Sequence, residues 1–115
     1  MTELESLRDR LRTFAAERDW DQFHSPKNLA AALAVEASEL LEHFQWLTEA
    51  QSQQLPPETL GEVRAEVADV LLYLIRISDK LGIDLVEAAK AKILLNAEKY
   101  PVEKARGSSK KYTAL

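Results

Sequence analysis

Apolar residues recur at helical spacing in four stretches of the chain, and no alternating run long enough for a strand interrupts them. Thr2 and Glu5 form a capping box, after which Leu4, Leu7, Leu11, Phe14 and Ala15 mark a first amphipathic helix to about Glu17. The segment RDWDQFHSPKN breaks the pattern. Ser25 can cap a second helix with Pro26 in its first turn, running to about Leu47. The polar segment TEAQSQQLPPE reads as a loop, and the third helix that follows ends at Gly82. Asp84 and Glu87 cap a fourth helix that Pro101 stops. Residues 101–115 lack apolar periodicity, carry Lys104, Arg106, Lys110 and Lys111, and read as a basic tail. The expected fold is all-α, one four-helix bundle-like domain over residues 1–115.

The third helix is the most informative of the four. Glu62, Glu66, Asp69, Tyr73, Arg76 and Lys80 fall on one narrow stripe, whereas Val63, Val67, Val70, Leu71, Leu72, Leu74, Ile75 and Ile77 cover most of the remaining surface. That apolar surface exceeds what one neighbouring helix needs. Packing by a second copy of the chain is therefore expected.

Composition narrows the function. With 46% hydrophobic and 30% charged residues the 115-residue chain is globular and supports one core. A net charge of -4 gives no general attraction to nucleic acid or anionic membrane, so neither is an expected partner. The chain has no cysteine, which excludes disulfides, thiolate zinc sites and cysteine nucleophiles. Its start is acidic and periodic rather than signal-like, and no apolar run approaches the roughly 20 residues that span a bilayer. A soluble cytoplasmic protein is expected.

Candidate chemistry lies in two acidic pairs. In LAAALAVEASELLEHFQW, Glu36 and Glu39 share a helix face among Leu, Ala and Val; in EVRAEVADVLLYLIRISDK, Glu66 and Asp69 do the same. One such pair is ordinarily a solvated face. Two on facing helices put four carboxylates in one slot, where they repel unless a cation neutralises them. Arg76 or Lys80 would make this a structural salt-bridge network; a hard divalent ion, Mg²⁺ or Mn²⁺, would make it a metal site. His43, a turn beyond, is a possible ligand but more ordinarily a satisfied histidine. A carboxylate-held metal suits phosphate chemistry, and the tail cations could grip the remaining phosphates of a nucleoside triphosphate. Trp20 and Trp46 offer surfaces for its base, although aromatics such as Trp20 and Phe23 in a connection more often plug a core. Phosphate-binding glycine loops and nucleophile triads are absent from the sequence.

Glu36-x-x-Glu39 followed by Glu66-x-x-Asp69 resembles the metal motif of the MazG-like all-α nucleoside triphosphate pyrophosphohydrolases. The segments RDWDQFHSPKNLAAALAVEASELLEHFQW, EVADVLLYLI, NAEKYP and ARGSSKKYTAL resemble the dCTP pyrophosphatase branch, covering the chain from about Phe14 onward. The resemblance implies Mg²⁺-dependent hydrolysis of a triphosphate to monophosphate and pyrophosphate in a dimeric or tetrameric enzyme. It implies Glu36, Glu39, Glu66 and Asp69 as metal ligands, with Glu39 also the candidate base for the attacking water. Trp20, His24, Trp46, Tyr73 and Asn96 match nucleotide-pocket positions, and Lys99, Tyr100, Arg106, Ser108, Lys110, Lys111 and Tyr112 are expected near the phosphates. Val35 stands where the MazG motif often has a further Glu, and Gly107 and Lys110 replace an expected Ser and Arg. The implied reaction is removal of dCTP or modified dCTP from the nucleotide pool. Alternatives are dUTP or another non-canonical triphosphate, phosphoribosyl-ATP more distantly, or a non-catalytic helical interaction module.

Overall fold

The computed structural model describes all residues, 1–115, and is helical throughout without a strand. Four long helices form where the apolar pattern places them: α1 (Glu3–Glu17), α2 (Pro26–Glu42), α4 (Pro57–Leu81) and α5 (Leu85–Lys99). Between and after them lie two single turns, α3 (Glu49–Ser52) and α6 (Val102–Ala105), and 3₁₀ turns at Asp21–Phe23 and Tyr112–Ala114. Met1–Gly82 and Ile83–Leu115 are two compact units.

In the first unit α4 is the central element, packed against both α2 and α1. Its length follows from Pro57 in the first turn and Gly82 at the end, where a φ of 67° selects glycine. Thr2 caps α1 through the expected box: its hydroxyl accepts from the Glu5 N–H, and the Glu5 carboxylate accepts from the Thr2 N–H. The end of α1 is a Schellman motif. Trp20 N–H reaches the Ala15 carbonyl and Asp19 N–H the Ala16 carbonyl, with Asp19 in the left-handed region at φ 54°. Trp20 then turns back edge-on to Phe14, ring centroids 5.7 Å apart. Ser25 accepts from Asn28 N–H to start α2, and the Asn28 amide donates to the Phe23 carbonyl, fixing the 3₁₀ turn against the helix start.

One expectation fails locally. The second helix ends at Glu42, five residues before Leu47, and the chain tightens through Phe44 and Gln45 N–H bonds to the Leu41 carbonyl. The reason is a competing start signal inside the expected loop. Thr48 and Gln51 form a reciprocal capping box that opens α3, so the chain must leave α2 early enough to present Thr48. Within residues 101–115, Pro101 starts the single turn of α6, and Tyr112–Ala114 closes as 3₁₀.

The second unit holds α5, capped by the Asp84 carboxylate accepting from Glu87 N–H, and the tail. Within it the Tyr112 ring meets Tyr100 edge-on at 6.0 Å and lies 5.1 Å from the Lys99 ammonium.

Little apolar surface is covered within the chain. Only Ala15, Leu29 and Ile75 are fully buried apolar residues, while Leu60, Val67 and Leu71 on α4 and Val35 and Leu41 on α2 are exposed. Of the apolar residues read from the α4 wheel, Val67 and Leu71 are exposed, Ile75 is buried and the rest are half-buried.

Candidate active site

The polar stripe of α4 faces its neighbours, as expected, but it divides into two clusters of different character. Near its N-terminal half, Glu66 meets Glu36 and Glu39 of α2, and one carboxylate oxygen from each lies within 4.8 Å of the others. All three side chains are half-buried. Oε2 of Glu36 and Oε2 of Glu66 are buried without a hydrogen-bond partner. Such oxygens are costly unless something neutralises them. The Glu36 carboxyl is pushed up to about 7, first by burial, then by the neighbouring Glu39 carboxylate and the charges of Asp69 and Glu66.

No Lys or Arg supplies the missing charge. Arg76 and Lys80 pair instead with Asp21, and Arg76 also with Asp79, which Arg12 grips with two guanidinium nitrogens. The structural salt-bridge reading therefore fails for these carboxylates, because both proposed cations are engaged elsewhere. His43, at the end of α2, is the one cationic candidate nearby, 3.7 Å from Glu66 and 3.6 Å from Glu62. Three converging carboxylates with two orphaned oxygens fit a hard divalent ion: the donors are all oxygen, anionic and close enough to share one cation. Asp69 stands outside this triangle and lines the adjoining cavity.

That cavity, about 270 Å³, lies between α1, the Trp20–His24 connection and α4, and is walled by Phe14, Trp20, Leu72 and Tyr73 with His24, Asp69 and Arg76 as its polar groups. Apolar walls with a few convergent polar groups are the usual form of a small-ligand pocket. Three sequence candidates, Trp20, His24 and Tyr73, thus come together beside Asp69. Burial and the Arg76 cation lower the His24 pKa, opposed by Asp21.

Of the other candidates in the first unit, Trp46 does not line this cavity. Trp46 sits in the turn after α2 with 86% of its surface exposed. Asn96 is exposed on α5. Lys99, Tyr100 and Tyr112 gather in the second unit, whose Arg106, Ser108, Lys110 and Lys111 are exposed. The sequence reading missed Asp21 and Asp79, which hold Arg76; Asp21 lies 55 positions away, where no local pattern marks it, whereas Asp79 stands three residues on along the same helix, a spacing that could have found it.

A family model, "MazG-like family", matches residues 31–115, which include both acidic pairs. The chain belongs to the MazG-like family. Similar proteins include dCTP pyrophosphatase 1 of Mus musculus, 45% identical over 97% of this chain and 67% of that protein. The Homo sapiens protein of the same name is 43% identical over the same shares. Among solved structures, a pyrophosphatase from Archaeoglobus fulgidus superposes with a TM-score of 0.78 at 42% identity, covering 88% of this chain and 94% of that one. The MazG-like chain therefore shares both sequence and fold with these proteins.

Proposed function

We propose that this MazG-like chain hydrolyses dCTP, or dCTP carrying a base modification, to the monophosphate and pyrophosphate with Mg²⁺ in the acidic slot. The enzyme class, a nucleoside triphosphate pyrophosphohydrolase, follows from the family and from relatives named dCTP pyrophosphatase 1. The observation that carries the site assignment is the Glu36–Glu39–Glu66 triangle with its two unpartnered oxygens. Glu36, Glu39, Glu66 and Asp69 would hold the ion, Mn²⁺ being a chemically similar substitute. The ion would offset charge on the phosphate oxygens and acidify a bound water.

The chain's own residues supply the rest. Glu39 would orient the attacking water and accept its proton. Trp20 and Tyr73 wall the base, with Trp46 as a further stacking surface, and His24 and Asn96 offer hydrogen bonds. Lys99, Tyr100, Arg106, Lys110, Lys111 and Tyr112 are assigned to the phosphates, where cations make charge-assisted bonds.

The proposed enzyme works as a homo-oligomer, dimer or tetramer, because the exposed Leu60, Val67 and Leu71 of α4 continue an apolar face that one chain leaves open. No helix is long and apolar enough to cross a membrane. Cytoplasmic clearance of the nucleotide pool is the role that fits this chemistry.

Incubation with Mg²⁺ and a panel of dCTP, 5-methyl-dCTP, dUTP, dTTP, dATP and CTP, with products resolved by chromatography, tests the proposal. Monophosphate plus pyrophosphate, formed fastest from a deoxycytidine substrate, is expected. Fastest turnover of dUTP would keep the site and reassign the base; no turnover with Mg²⁺ or Mn²⁺ would favour a non-catalytic interaction module.

A further inference from the structure

The Arg76 side chain is 7% exposed, and its guanidinium is held from two sides by the carboxylates of Asp21 and Asp79. Its Nε–H is aimed elsewhere. It donates to Nδ1 of His24 at 3.1 Å. A guanidinium has five N–H donors and no acceptor, so Nδ1 must present a lone pair to it. The imidazole is then neutral with its single proton on Nε2. The backbone reinforces this arrangement, because His24 N–H bonds to the Asp21 carbonyl and so ties the histidine to the same turn that supplies Asp21.

We propose that Arg76 is a positioning residue for base recognition, fixing His24 as the Nε2–H tautomer so that the imidazole offers the cavity a hydrogen-bond donor and no acceptor. The inference rests on the nucleotide reading above and deepens it. A donor-only histidine selects a base edge that presents an acceptor. Cytosine has two there, the O2 carbonyl and the unprotonated N3. A base edge presenting N–H to the same point would set donor against donor, leaving both unpaired and desolvated, which is how polar pockets reject a near-isostere. The charged groups around His24 agree with a neutral ring: Arg76 and Lys80 disfavour its protonation, and Asp21, which favours it, is already shared between those two cations.

Two measurements test this on the full-length chain. The first uses the wild type alone. The chain has two histidines, so the imidazole ¹⁵N spectrum contains two rings, and a His24→Ala variant assigns them. A pyridine-like Nδ1 and a pyrrole-like Nε2 for His24 at neutral pH are expected; the reverse pattern, or a protonated ring, overturns the proposal.

The second compares Arg76→Gln with Arg76→Met. Both lose the ion pairs to Asp21 and Asp79, so both carry the structural cost. Only Gln keeps an N–H at the position of the arginine Nε, since its amide nitrogen is the same number of bonds from the backbone. The Met variant should show a KM for dCTP about five- to tenfold above that of the Gln variant, with similar kcat. That difference should vanish when His24→Ala is added to each. Equal KM values for Gln and Met, or a difference that persists without His24, overturns the proposal. Failure of the underlying nucleotide reading looks different: the wild type itself would turn over no nucleotide in the panel.

Discussion

Helix α4 carries two charged clusters on one stripe, roughly 15 Å apart along its axis from Glu66 to Arg76. At the Arg76 end every charge has a partner: Arg12 with Asp79, Arg76 with Asp79 and Asp21, Lys80 with Asp21. At the Glu66 end three carboxylates converge, two of their oxygens have no partner, and Lys and Arg are missing. The same helix and the same half-buried stripe therefore hold one cluster that is electrostatically complete and one that is not. Stability alone does not explain the second, because like charges raise the free energy of the folded state. An incomplete cluster implies a ligand that completes it. A complete one can orient its neighbours, as Arg76 orients His24.

Removing one acid from the incomplete cluster should produce the largest change. Glu66→Ala is expected to lower Mg²⁺-dependent turnover by about a hundredfold or more, since a lost ligand reduces both ion affinity and charge stabilisation. Without metal the same variant should melt at or above the wild-type temperature, because crowding among the acids is relieved. Added Mg²⁺ should raise the wild-type melting temperature and leave the variant's nearly unmoved. A strongly destabilised metal-free variant would mean that Glu66 has a structural partner, which would erase the contrast between the clusters.

Breaking the complete cluster should act in the opposite sense. Asp79→Asn removes a carboxylate shared by Arg12 and Arg76 and leaves the buried Arg76 guanidinium under-compensated. A loss of about 2 kcal/mol in urea unfolding is expected, with or without metal. An unchanged midpoint would show that Asp21 alone satisfies Arg76.

The two clusters should also respond to pH with opposite slopes. Glu36 has its folded pKa raised from 4.5 to about 7. Its contribution is fully present below pH 4.5 and is lost as pH rises towards 7, because the folded state binds the proton more tightly than the unfolded chain. Asp79 is lowered from 3.8, first by its hydrogen bond from Arg12. Its contribution is present above pH 3.8 and is lost as pH falls through the folded value. Metal-free melting temperatures should therefore peak between the two windows, near pH 4 to 5. Saturating Mg²⁺ should remove the fall on the alkaline side, since the ion competes with the proton for Glu36. A fall towards pH 7 that Mg²⁺ leaves unaltered would separate Glu36 from the ion site.

How much of this was legible beforehand differs between the clusters for a physical reason. The acidic pairs, the four long helices and the apolar excess of α4 depend on spacing within one helix, which periodicity encodes directly. Gathering Glu36, Glu39 and Glu66 needed only that two helices face each other. The Arg76 cluster joins residues 55 and 67 positions apart in sequence, Asp21 with Arg76 and Arg12 with Asp79, and no spacing rule carries such a pairing. Arg76 itself was visible as an alternative partner of the acidic slot; the structure pairs it with Asp21 and Asp79 instead. The early end of α2 was legible in Thr48 and Gln51, a capping box overshadowed by the two prolines that follow. Trp20 was visible as an aromatic in a connection; the Schellman turn that aims it depends on Asp19 adopting a left-handed conformation normally left to glycine.

The smallest effect should come from the rim of the complete cluster. Lys80 donates to Asp21, whose side chain is 60% exposed, and water competes for both groups. Lys80→Met keeps the aliphatic stem and removes only the charge, leaving Asp21 to Arg76. Exposed pairs contribute little, so the melting temperature should move by no more than about 3 °C. Raising ionic strength should reduce even that difference. A larger shift would mean that Lys80 and Arg76 hold Asp21 jointly, with each needed to keep the turn before His24 in place. In that case the His24 imidazole spectrum of Lys80→Met should also depart from wild type, whereas a rim contact leaves it unaltered.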